Sequence, residues 1–224
     1  MACACRPLPR RFFLPSPEVV APALLGKLLV RRRGGDEVRA RIVETEAYLG
    51  RGDAAAHAAR GLTPRTAVLF GEPGRAYIYL AYGLHWCLNV STLPAGEAGG
   101  VLLRAAAMDG GLNLSGPGRL TRQLGIGASL NRCDLTRPGA LFFADDGWRP
   151  EAIAVSARIG ITQAAELPYR YFLEGHAAVS GGRTAVIARR SAPSPIAPGA
   201  RGRIYSEILH GNGTRIPHSR RHRP

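Results

Sequence analysis

The sequence predicts an α+β fold: a single domain with a curved, mostly antiparallel β-sheet core, flanking helices and one protruding β-hairpin. Three observations lead there. The 224 residues suit one domain with one sizeable core. The apolar runs are short, rich in β-branched and aromatic residues, and several are joined by Gly-containing turns, as neighbouring antiparallel strands are. Helix-start signals are few, at Ser16-Pro17-Glu18, Thr63-Pro64 and Gly116-Pro117-Gly118.

Taken in order, residues 1–11 read as an irregular N-terminus, 12–190 as the domain and 191–224 as a basic tail rich in Pro, Gly and Arg. Ser16 caps a helix that runs to about Leu25, and Pro22 requires it either to begin there or to bend. Leu28–Arg33 and Val38–Tyr48 form two strands across Gly34-Gly35-Asp36. A loop follows, with a helical turn around Ala54–Ala58 and a second short helix from Thr63-Pro64 to Gly71. AYIYLAYGLHWCLNV supplies two strands meeting near Tyr82-Gly83, and VLLRAAA a buried strand with one embedded charge, Arg104. A helix after Gly118 and strands near Ile153–Ser156 and Tyr169–Leu173 complete the core.

Composition narrows the function. With 46% hydrophobic and 21% charged residues, and no run of eighteen apolar ones, the chain reads as soluble and globular, with no membrane partner. MACACRPLPRRFF lacks the apolar core of a secretory signal, so a cytoplasmic location is expected, associated with the nucleoid if the source is bacterial. Cys3, Cys5, Cys87 and Cys133 lack the spacing of a zinc or redox site, and no metal or cofactor is expected. Thirty Lys and Arg against sixteen acids leave a net charge of +14, which suits a polyanion, nucleic acid first, although charge also serves solubility alone. The tail carries six Arg and one Glu, five of those net charges.

Glu44 and Glu46, two apart in RIVETEAY, share one strand face. Held together, two carboxylates raise one pKa and make a general acid or base; the bland alternative is a solvated face. Arg104, once buried, needs a partner, and this strand offers it as a structural ion pair or as a clamp on a catalytic carboxylate. Tyr48, His57, Tyr77, Tyr79, Tyr82, His85 and Trp86 crowd into one span. Such a set can sandwich a planar base, cationic bases especially, or stabilise a hairpin through cross-strand pairs. Tyr82, at the tip of its hairpin, suits a wedge between stacked bases.

RIVETEAYLG, the AAH ending at His57, TPR, FGEPG, AYIYLAYGLHWCLNV, VLLRA, GPGRLTRQLGI and PYRYFLEGHAAVS together resemble, in order, the alkyladenine (3-methyladenine) DNA glycosylase family. The resemblance implies that Glu46 is the general base, with Arg104 and the main-chain carbonyl near Val179 holding the attacking water. It implies that Tyr48, His57 and Tyr79 contact a flipped-out base, that Asn89 crowds the exocyclic amine of guanine, and that Tyr82 fills the gap left in the DNA. The expected partner is double-stranded DNA containing damaged purines, bound by a monomer. Leu84 and His85 stand where relatives vary, which leaves lesion preference open. For a Schiff-base lyase step the only candidate amines are Lys27, the one lysine, and the N-terminus; Lys27 lies far in sequence from the acids and aromatics, so a monofunctional glycosylase is expected. Two rivals remain: a non-catalytic nucleic-acid-binding protein, and a hydrolase of free nucleosides or glycosides using two carboxylates.

Overall fold

The computed structural model describes residues 5–181 and 186–191. Within them lie two helices, α1 (Pro17–Leu24) and α2 (Pro117–Gln123), and eleven strands. In chain order these are β1 (Arg6–Pro7), β2 (Leu28–Arg33), β3 (Asp36–Tyr48), β4 (Ala76–Ala81), β5 (His85–Thr92), β6 (Gly99–Met108), β7 (Asn113–Ser115), β8 (Leu141–Asp145), β9 (Ala152–Ser156), β10 (Arg170–Phe172) and β11 (Ala188–Ser191). All pairings are antiparallel, and the strands join into one sheet, so the α+β reading holds.

The long strand β3 organises this sheet. Its first half pairs with β2 and its second half with β10 along one edge, while β6 runs along the other. Beyond β6 lie β7 and β5, and β5 pairs with β4. Side chains alternate along β3, so Val43, Thr45 and Ala47 face one way and Glu44, Glu46 and Tyr48 the other. The first set joins the core: the Thr45 hydroxyl donates to the Ala21 carbonyl of α1 at 2.9 Å, and Val43 and Ala47 are fully buried with Val20, Leu24, Leu88 and Leu103. The second set is thereby turned toward β10 and the segment that follows β9.

Three sequence expectations change in detail. Helix α1 starts at Pro17 and runs through Pro22 to Leu24. With only two residues following Pro22, the missing N–H costs a single bond near the helix end. The helical turn expected at Ala54–Ala58 lies instead at His57–Arg60, because Asp53 accepts the Leu49 and Ala55 N–H groups and holds its neighbourhood in a turn. Arg6–Pro7, within the segment expected to be irregular, pairs with Ala144–Asp145 of β8. The tail after Ser191 lies outside the described residues. Among those described, no helix is long and apolar enough to cross a membrane.

Candidate active site

The two acids of β3 are not on a solvated face. Glu44 and Glu46 are both fully buried, each with arginine in reach. Arg104 serves both: its Nε lies 3.2 Å from Glu44 Oε1, and its Nη1 3.4 Å from Glu46 Oε1. The sheet register explains how one side chain reaches two carboxylates. Ile42 lies opposite Ala106, Glu44 opposite Ala105 and Thr45 opposite Leu103, so Val43 on β3 and Arg104 on β6 are each left without an opposite residue, a local irregularity in the ladder that sets Arg104 between the two acids.

Glu46 Oε1 accepts the Ile159 N–H at 2.8 Å, and Oε2 accepts the Tyr48 hydroxyl at 3.0 Å. Burial raises the Glu46 pKa above the usual carboxylate value, and the negative charge of Glu44 adds to this. Arg104, the Ile159 N–H and the Tyr48 hydroxyl oppose the rise. Tyr48 is driven well above the ordinary tyrosine range, first by burial and then by the charge of Glu46, so it stays a hydrogen-bond donor. Behind its ring the Arg158 guanidinium stacks at 4.6 Å and is itself held by Asp53 through bonds of 2.6 and 2.8 Å.

One row across four strands connects this carboxylate to the aromatic residues. Glu46 lies opposite Leu102, Leu102 opposite Asn89, and Asn89 opposite Tyr77, so all four side chains share a face. Asn89 is buried, and its Nδ2 donates to the Tyr77 carbonyl at 3.2 Å. Tyr79 lies in the adjoining row, opposite Cys87, with its ring 5.4 Å from Tyr77. His57 stands edge-on to Tyr79 at 4.5 Å, its Nδ1 2.8 Å from the Tyr77 hydroxyl. Although its outer edge is open to solvent, desolvation against this wall and the charges of Arg65 and Arg60 lower its pKa, which favours a neutral imidazole at pH 7.

The remaining residues singled out from the sequence stand further out. Tyr82 is 83% exposed at the β4–β5 turn, and its hydroxyl donates to the Gly160 carbonyl at 3.3 Å. Val179 is partly buried, and it approaches the acids through its neighbour, since the Ser180 N–H donates to Glu44 Oε2 at 2.7 Å. That peptide is trans, so the Val179 carbonyl points away from Glu44.

Five residues that sequence reasoning missed complete the arrangement: Asp53, Arg158, Ile159, Arg170 and Ser180. Two were signalled by the cue that singled out Arg104, an arginine inside an apolar run, in AVSARIGI and PYRYFL. Ile159 contributes only its backbone, and a backbone donor leaves no mark on the sequence.

Residues 11–177 match the family model for methylpurine-DNA glycosylase. The chain belongs to that family. Among curated relatives, a protein of Koribacter versatilis is 47% identical over 195 residues, 79% of this chain and 94% of its own length. One from Anaeromyxobacter dehalogenans is 47% identical over 180 residues, covering 77% of this chain and 85% of the relative. One from Myxococcus xanthus is 45% identical over 184 residues, covering 78% and 94%. Each is provisionally named a 3-methyladenine DNA glycosylase. As a DNA glycosylase of this family the chain is a hydrolase acting on DNA in its repair. A base within a duplex is inaccessible to such chemistry until it leaves the stack.

Proposed function

We propose that this glycosylase binds a purine flipped out of duplex DNA, alkylated or deaminated as in 3-methyladenine, 7-methylguanine and hypoxanthine, and hydrolyses its N-glycosidic bond. Glu46 takes a proton from a water molecule as the water oxygen bonds to the sugar C1′. The C1′–N bond breaks, and its electron pair leaves with the base. A purine already carrying positive charge departs more easily, and the electron-rich tyrosine faces favour it. In this reading Tyr48, His57 and Tyr79 hold the base, Asn89 tests its edge, Arg104 and the Val179 carbonyl hold the water, and Tyr82 occupies the vacated stack.

The observation that carries the reading is the state of Glu46: a wholly buried carboxylate, paired to one arginine and steadied by one backbone N–H and one tyrosine, in register with an aromatic wall. A DNA-binding protein without chemistry has no use for such a group. Glu46→Gln decides between them: base release should fall about 10²- to 10⁴-fold, the usual worth of a general base, while binding to lesion-bearing duplex survives. Unchanged release would remove Glu46 from the mechanism.

The enzyme acts as a monomer and as a monofunctional glycosylase. Lys27, its one lysine, is buried and bound to Asp145 at 2.8 Å, on the β8 side of the sheet. Burial lowers its pKa, but the ion pair occupies the amine. Borohydride treatment during turnover is expected to trap no protein–DNA adduct, and a strong adduct would refute the assignment.

A further inference from the structure

Two carboxylates face the same way on β3, and their surroundings differ in one decisive respect. An ionised carboxylate offers about four acceptor positions. At Glu44 four donor groups crowd them: Arg104 Nε at 3.2 Å, Arg170 Nε at 2.7 Å and the Ser180 hydroxyl at 3.0 Å on Oε1, and the Ser180 N–H at 2.7 Å on Oε2. At Glu46 only two hydrogen bonds are made, from Ile159 and Tyr48, with Arg104 Nη1 at 3.4 Å. Glu44 is held by four donors, three of them on Oε1, whereas each oxygen of Glu46 accepts one hydrogen bond and retains capacity for a water.

The donors on Glu44 are parts of the machinery just described. Arg104 is gripped at its Nε by Glu44, while its Nη1 faces Glu46 and donates to the Ile159 carbonyl at 3.3 Å. The Ser180 N–H bond fixes the plane of the peptide whose other end is the Val179 carbonyl. Arg170, almost fully buried, closes the ring: it bonds Glu44, the Ser156 hydroxyl at 3.0 Å and the Ser180 carbonyl at 2.8 Å.

We propose that Glu44 is the positioning residue of this site, seating Arg104 beside Glu46 and locking the Val179–Ser180 peptide, so that Glu46 is the acid left to take the proton. This rests on the glycosylase reading above and deepens it. It also accounts for two neighbouring acids with one role each: the carboxylate held by four donors orients, and the one held by two reacts.

The test is single-turnover release of 7-methylguanine from duplex DNA as a function of pH, with the full chain. That lesion carries a fixed positive charge, so an acid limb reports on the enzyme. The charged and titratable groups around Glu46 are Glu44 and Tyr48 on its own strand, Arg104 on β6, Cys87 on β5, Arg158 after β9, and Arg170 opposite it on β10. Release rises with pH as Glu46 ionises. Removing the negative charge of Glu44 by itself eases ionisation of Glu46, but an unseated Arg104 takes away a larger favourable charge, so in Glu44→Gln the acid limb moves to higher pH. The plateau meanwhile falls about tenfold to hundredfold, as expected for a misplaced water and guanidinium, with DNA affinity retained.

Glu44→Gln leaves Arg170 without its carboxylate, so Glu44→Gln/Arg170→Met is measured beside it. This double variant also lacks the positive charge opposite Glu46, so it should show the lowered plateau with a larger displacement of the limb. A wild-type plateau in Glu44→Gln, a lowered plateau with the limb unmoved or moved to lower pH, or loss of cooperative unfolding in both variants would overturn the proposal, leaving Glu44 a structural charge. A wild-type chain that releases no base overturns the underlying reading instead, and that result is in hand before any variant is made.

Discussion

The hairpins β2–β3 and β4–β5 turn on similar backbone geometry and end in opposite chemistry. In the first, Arg33 pairs with Asp36 across Gly34 and Gly35, whose φ values are +60° and +93°. In the second, Ala81 pairs with His85 across Tyr82, Gly83 and Leu84, with φ of +50° at Tyr82 and +71° at Gly83. Glycine enters the left-handed region freely; another residue pays about 1–2 kcal/mol there. The first turn has the residues its geometry asks for and is flanked by an Arg32–Glu37 ion pair. The second places a tyrosine in the strained position and leaves Tyr82 and Leu84 more than 80% exposed. Neither side chain adds to the core, so folding does not explain the choice. Strain and exposed apolar surface at one tip are what a wedge into stacked bases requires.

Exchanging the chemistry of the tips should give the largest effect. In Tyr82→Asn/Leu84→Ser the second tip becomes polar like the first, and the energy that offsets unstacking is lost. Unstacking costs a few kcal/mol per step, so base release from duplex DNA should fall by about tenfold to several hundredfold. Gly34→Ala is the matched change at the first tip. No atom lies within 4 Å of a Cβ built there, so only the left-handed φ resists it. Stability should drop by about 1 kcal/mol, a melting shift of roughly 2–4 °C, with release unaltered. If release were as sensitive at Gly34 as at Tyr82, the distinction between the tips would collapse.

The two hairpins were legible in the sequence for the reason they can be compared, since Gly-containing turns between β-forming runs mark local pairings. Strand β6 was legible from its continuous apolar run, and α1 and α2 from their Ser-Pro and Gly-Pro starts. Strands β1, β7, β8 and β11 were not. Strands β1, β8 and β11 are set by distant partners, such as Leu29 opposite Phe143, which no local pattern announces, and β7, although it folds back on the neighbouring β6, is only three residues long. The site divided along the same line. Glu46, Tyr48, Tyr79 and Asn89 lie on strands whose alternation was readable, and Arg104 betrayed itself as a charge in an apolar run. Arg170 and Arg158 carried that same cue, but their partners Glu44 and Asp53 lie 126 and 105 residues away in the chain, and only the folded sheet brings them together.

The smallest effect tests whether the second tip stores strain at all. Tyr82→Asn alone creates Asn-Gly, the pair best suited to two successive left-handed residues, without the added unfolded-state entropy that glycine brings. The bond it removes, from the Tyr82 hydroxyl to the Gly160 carbonyl, is long and exposed and contributes little. The melting temperature should therefore rise by roughly 2–4 °C, corresponding to about 1 kcal/mol, even as duplex release falls. Stability and activity would then move in opposite directions at one residue, as they do where a strained conformation is kept for function. A melting temperature unchanged or lowered by Tyr82→Asn would show the tyrosine to be at ease in its turn, and the argument from strain would fail while the argument from exposure stood.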